Sequence, residues 1–256
     1  MAKKNYLVHD QTNIEKPAFP AIDAHNHLWG NWQVDRVIKT LDEVGVVSYC
    51  DLTGNVRIEF AGGGYLIQPG DISEFFENCQ VKYPGRFYCF TMSNFATPVQ
   101  KPLFDDYKSF VSECIETLNS HHQKGAKGLK ILKELGLHYR DSAGNLIHCD
   151  DKRLFPIWEE AGRLKMPVLI HQADPAGFFE PVTPENEHYE SLIKYPSWSF
   201  DDPKFPRKIE LLKRRDNLVR QHPETIFILP HFGNYAENIQ YTSTLLDENP
   251  NVYIDF

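Results

Sequence analysis

Four of the eleven histidines stand where short apolar runs stop, and imidazoles placed there could hold a metal ion or move a proton. His25 and His27 form an HxH pair closing Ala21-Ile22-Asp23-Ala24-His25-Asn26-His27. Side chains two apart on a strand point to one face, so both rings can reach a single ion at about 2.0–2.1 Å. His171 ends the run Val168-Leu169-Ile170, and His231 ends Ile226-Phe227-Ile228-Leu229-Pro230. Each of these last two alone is more often a satisfied half-buried histidine than a ligand. Together with the HxH pair they put imidazoles at the carboxyl ends of three strands, where parallel α/β folds gather ligands and catalytic groups. That convergence favours a metal centre.

Three further residues belong to the same reading. Lys130, in Lys127-Gly128-Leu129-Lys130-Ile131, sits on another strand candidate and could bind an anionic substrate or, if carbamylated, bridge metals; the alternative is a lysine that snorkels to solvent. Asp23 precedes His25 by two and either orients an imidazole from behind or caps the strand end. Asp174 follows His171 by three and either faces the site or makes the turn with Pro175. His121 and His122 sit near a helix C-terminus, where partial positive charge suits the dipole, and read as surface or packing residues. No nucleophile elbow, phosphate loop, calcium loop or HExxH helix competes with these residues.

The elements that must position them alternate. Apolar runs suited to buried parallel strands occupy 19–25, 46–50, 87–92, 126–132, 167–171, 225–231 and 252–256. Between them, helical spacing runs over about 35–44, 71–83, 105–122, 154–164, 207–222 and 235–248. Repeated βαβ units demand a parallel sheet covered by helices, with right-handed crossovers. No GxGxxG follows the first strand, so nothing supports a dinucleotide fold. The run Gly62-Gly63-Gly64 reads as a flexible loop, and the aromatic, proline-rich stretch 172–205 as a long loop packed on the rim or closing over a substrate.

Composition bounds the rest. With 41% hydrophobic and 13% aromatic residues, the 256-residue chain can bury a sizeable core. A net charge of −8, from 27 basic and 35 acidic side chains, argues against a general nucleic-acid binder. The five scattered cysteines contain no CxxC pair and fit a reducing compartment. No long apolar run marks a signal or a membrane span, so the expectation is a cytoplasmic protein acting on a small molecule, with no membrane partner and with a homo-oligomer left open.

The Asp23-Ala24-His25-Asn26-His27 start, Gly128-Leu129-Lys130, His171 and His231 resemble the amidohydrolase superfamily. The likeness is to its branch of amidohydrolase-related, metal-dependent hydrolases, which also contains aromatic-acid decarboxylases. It runs from about residue 19 to the end. The resemblance implies an α/β fold, a TIM-type (β/α)8 barrel, and a divalent ion, usually zinc with manganese as the alternative, held by His25, His27 and His171. It makes His231 the catalytic histidine beside the ion, or a ligand if a second metal binds, and Lys130 a substrate-binding residue.

The implied reaction is water activation for hydrolysis of an amide, ester or lactone. The alternatives are non-oxidative decarboxylation of an aromatic or related acid, and a metal-binding chain without catalysis. The family also places an aspartate after strand eight. Residues 252–256 match strand seven, so Asp255 is not given that role, and the expectation is a barrel lacking its final helix and eighth strand. By this reading residues 1–18 are an N-terminal extension and 19–256 one barrel domain.

Overall fold

The computed structural model describes residues 16–61 and 64–256. Most of the N-terminal extension and two of the three consecutive glycines, Gly62 and Gly63, lie outside them. Seven parallel strands form one sheet in chain order: β1 (Ala21–Asn26), β2 (Val46–Asp51), β5 (Phe87–Thr91), β6 (Gly128–Ile131), β7 (Val168–Ile170), β8 (Phe227–Leu229) and β9 (Val252–Ile254). Helices α1 (Val34–Val44), α3 (Tyr107–Lys124), α5 (Phe155–Arg163), α7 (Lys208–Gln221) and α9 (Ile239–Glu248) fill the crossovers. The sheet curls into an arc of a (β/α)8 barrel, and among the described residues no strand pairs β1 with β9.

Local sequence explains the regularity. β6 and β7 are buried on both faces, as continuous apolar runs in a parallel sheet must be. Helix α1 buries Val34, Ile38 and Leu41 on one stripe and stops at Gly45, whose φ of 77° is the left-handed cap that glycine adopts without penalty. Helix α3 starts at Asp106, whose carboxylate accepts the N–H groups of Lys108 and Ser109. The core lies between sheet and helices, with Phe75, Phe87, Phe95, Trp158 and Phe227 all essentially buried.

Three expectations shift. Gly64 opens the second strand of an antiparallel hairpin, β3 (Val56–Ala61) with β4 (Gly64–Pro69), inserted between β2 and β5, while the loop expected at Gly62 and Gly63 lies outside the described residues. The helix expected over 71–83 is a short α2 (Ile72–Phe75) that widens into a π-turn, Phe76–Gln80. Residues 172–205 carry α6 (Tyr189–Lys194) and a small core of their own, in which Phe178, Phe179, Leu192 and Phe200 pack on Leu211 and Leu212. No described helix is long and apolar enough to cross a membrane.

Candidate metal centre

Because the strands are parallel, their carboxyl ends all open on one side, and the histidines gather there. His25 lies in β1 and His27 just beyond it, His171 follows β7, and His231 follows β8 after Pro230. The four rings form a row. His27 and His25 have centroids 5.5 Å apart, His25 stacks on His231 at 5.0 Å, and His231 meets His171 edge-on at 4.9 Å.

Two carboxylates fasten this row. Asp255, immediately after β9, accepts the Nδ1–H of His25 at 2.6 Å and the backbone N–H of His231 at 2.8 Å. Asp174 accepts from Nδ1 of His231 at 2.7 Å, while its carbonyl lies 3.1 Å from Nε2 of His171. A ring whose Nδ1–H is held by a carboxylate keeps Nε2 as the free lone pair. Donor atoms of His25, His231 and Asp255 lie within 4.8 Å of one another, and so do those of His171, Asp174 and His231. Among the described residues, His25, His27 and His171 do not form one such group. Nδ1 of His27 is buried without a hydrogen-bond partner.

Burial sets the protonation states. It pushes His27 down to about 2 and His171 well below the ordinary histidine value, with nearby lysine charge adding to the effect. His25 is lowered by burial too, although the Asp255 hydrogen bond opposes it. Neutral imidazoles are the metal-binding form, so the donor set fits a divalent ion. Asp255 falls below the usual carboxylate value, because the His25 and His231 hydrogen bonds outweigh its burial.

Lys130 is fully buried, with Nζ 3.5 Å from Nε2 of His25, and burial brings it down to about 7; it does not snorkel to solvent. Asp23 accepts the backbone N–H of His25 at 3.3 Å and the Asn26 amide at 3.0 Å, so the ring is oriented by Asp255 instead. His121 lies in the last turn of α3 as a packing residue, bonding Thr91 through Nδ1 at 2.7 Å, and burial lowers it to about 4. Asp255 could have been found from sequence by the rule that picked out the histidines, since it too directly follows an apolar strand.

The turn that presents His231 is a built structure. His231, Phe232 and Asn234 have φ of 53°, 55° and 57°, a left-handed run that side chains other than glycine adopt only at a cost. Fully buried Asn234 holds it, accepting the N–H of Gln172 at 3.3 Å and donating to Pro230 at 3.1 Å. Buried Arg215 donates to the Gly233 carbonyl while pairing with Asp216 at 2.7 Å. Thr242 caps the Phe232 carbonyl at 3.0 Å.

An amidohydrolase family model matches residues 107–256. Among solved structures, a candidate amidohydrolase from Staphylococcus aureus is 15% identical, with TM-score 0.51 over 92% of this chain and 79% of its own. The 4-oxalomesaconate hydratase of Rhodopseudomonas palustris is 13% identical, with TM-score 0.51 over 92% of this chain and 73% of its own. At these identities the likeness speaks to the fold. No curated protein matches the chain. With the family model spanning more than half of its residues, the chain belongs to the amidohydrolase family, a family of metal-dependent enzymes.

Proposed function

We propose that the chain hydrolyses a C–N or C–O bond of a small amide, ester or lactone with a divalent ion at the carboxyl ends of its strands, zinc first and manganese as the alternative. The observation that carries this is the meeting of His25, His231 and Asp255 donor atoms within 4.8 Å. His25 and Asp255 would hold the ion, with His27 and His171, the other two ligands expected from sequence, flanking them and His231 beside it. A divalent ion so held would polarise a carbonyl and bring the pKa of a water to about 7.

The chain's own residues supply the remaining parts. Asp255 fixes the tautomer of His25 and presents its Nε2. Asp174 does the same for His231, whose side chain is 42% exposed and so within reach of a substrate. His231 Nε2 then gives and takes the proton at the reacting bond. Lys130, beside His25, meets negative charge that develops on the substrate oxygen.

The test is metal content together with turnover. Protein loaded with zinc or manganese is assayed for hydrolysis of lactones and anilides and for carbon dioxide release from aromatic acids. We expect hydrolysis that His231→Asn lowers by roughly 10²–10⁴-fold. His25→Ala should lose the ion. Carbon dioxide release without hydrolysis would make the chain a decarboxylase, and bound metal without any turnover would make it a metal-binding protein only.

A further inference from the structure

Three of the four imidazoles in the row have a hydrogen-bond partner that sets the plane of the ring. Asp255 takes Nδ1 of His25, Asp174 takes Nδ1 of His231, and the Asp174 carbonyl lies against Nε2 of His171. His27 is the exception among them, since its Nδ1 is buried with no partner. A ligating imidazole is ordinarily oriented by the hydrogen bond of its second nitrogen, and a histidine ring without one turns easily about its last torsion. What bears on the His27 ring instead is the indole of Trp29, stacked on it with centroids 4.5 Å apart and planes 14° from parallel.

The chain strains its backbone to make this stack. The Asn31 N–H closes a turn on the Leu28 carbonyl at 2.9 Å, and the two residues inside the turn both have positive φ, Trp29 at 55° and Gly30 at 76°. Glycine, asparagine and aspartate suit such positions, and a bulky side chain there is an outlier of the kind that gathers at functional sites. The base of the turn is fixed, because the Leu28 N–H is held by the buried Asp51 carboxylate at 3.0 Å. Packing is the competing account, since half-buried Trp29 also borders the main apolar core.

We propose that Trp29 is a positioning residue of the metal centre. Its flat face fixes the plane of the His27 imidazole, edge-on to His25 at 5.5 Å, in place of the hydrogen bond that Nδ1 lacks. This rests on the metal centre of the proposed function and on none of its chemistry. A packing residue needs only volume and apolar surface at this position. A positioning residue needs a flat face, and it acts only through His27.

The experiment measures zinc affinity of the full chain by competition with a chelating dye, for Trp29→Phe, Trp29→Leu and Trp29→Gly, each with and without His27→Ala. Urea unfolding of the metal-free proteins gives their stabilities. Trp29→Phe keeps a ring to stack and should bind zinc within about threefold of the parent. Trp29→Leu fills the space without a flat face and Trp29→Gly removes the side chain, so both should bind roughly 10–100-fold more weakly. Stability should not follow that ranking, because glycine fits the left-handed φ that leucine does not. Once His27 is alanine, Trp29→Leu should weaken zinc no further. Leucine binding as tightly as phenylalanine, equal losses with and without His27, or affinities that simply track stability would make Trp29 a packing residue and overturn the assignment. If Trp29→Gly fails to fold, the comparison of phenylalanine with leucine decides. A parent chain that takes up no zinc removes the metal centre and this role together, whereas a parent that binds beside a Trp29→Leu that binds equally well removes this role alone.

Discussion

Nδ1 of His25 and the carboxylate of Asp255 meet at 2.6 Å across 230 positions of sequence, tying the first strand of the sheet to the residue after the last. The same carboxylate takes the His231 N–H, and the Asp255 carbonyl takes that of Phe232 at 2.9 Å. One aspartate thus closes the carboxyl face of the arc. Asp255→Ala should lower unfolding free energy by about 2–3 kcal/mol in urea titration. It should also weaken metal binding by roughly 10–100-fold. The Asp255 pKa is depressed in the fold, so its contribution is present above the unfolded carboxylate value and lost as pH falls below it. Unchanged stability and unchanged metal affinity would show that the contact does neither job.

Asn234 combines a left-handed backbone, complete burial and two hydrogen bonds. Asn234→Ala loses the bonds and strains the turn, for a cost of about 2–4 kcal/mol. Asn234→Gly loses the same bonds but fits the φ, and should be the milder variant by about 1 kcal/mol. Chemical denaturation of the two variants reads the difference directly. Equal losses would mean that the φ carries no strain.

Asp51 gives a pH signature of the opposite sign to Asp255. Its Oδ1 accepts the N–H groups of Leu28 at 3.0 Å and Thr53 at 3.1 Å and the Thr53 hydroxyl at 2.9 Å, while Oδ2 is buried without a partner. Burial raises its carboxyl to about 6, the hydrogen bonds opposing this only in part. Between the unfolded value near 4 and the folded one, the native chain binds more protons, so this group costs stability as pH rises and then levels off. Asp51→Asn should remove that slope, and its stability relative to the parent should grow by of order 3 kcal/mol from pH 4 to pH 7. A pH-independent difference between the two proteins would refute this.

Gly128 is where β6 passes under the ring of Phe90, and a Cβ there would stand 2.4 Å from Phe90 Cε2. Gly128→Ala must displace that buried ring, at about 1–3 kcal/mol. Adding Phe90→Leu should recover part of the loss, giving a favourable coupling in a double-mutant cycle. Additive losses would place the strain elsewhere.

Much of this was legible in the chain. The runs Val168-Leu169-Ile170 and Phe227-Ile228-Leu229 could only be buried parallel strands, and the rule about their carboxyl ends found His171 and His231 together with the HxH pair. The hairpin was written there as well, because Val56 and Ile58 alternate with Arg57 and Glu59, but a glycine run beside it drew the reading toward a loop. Other features have no local signature. The left-handed turn at His231, Phe232 and Asn234 depends on Arg215 and on the bonds of the Asn234 side chain, contacts that only folding supplies. Partner choice at the site is likewise tertiary: Asp23 shares a face with His25 by spacing, yet the ring is taken by Asp255.

The β3–β4 hairpin supplies Tyr65, Leu66 and Ile67 to the wall of a cavity of about 330 Å³ that Trp198 and Phe200 also line, and among the described residues none of its side chains belongs to the metal-donor groups around the imidazoles. Part of that wall is therefore drawn from an insert between two strands of the sheet. Lengthening, shortening or exchanging the hairpin would recut the chamber while leaving untouched the strand ends on which the histidines are mounted. In evolutionary terms, the insert is a part that can be replaced without rebuilding the engine. A lineage carrying this framework could reshape that cavity through one inserted ribbon, with the sheet as a constant chassis.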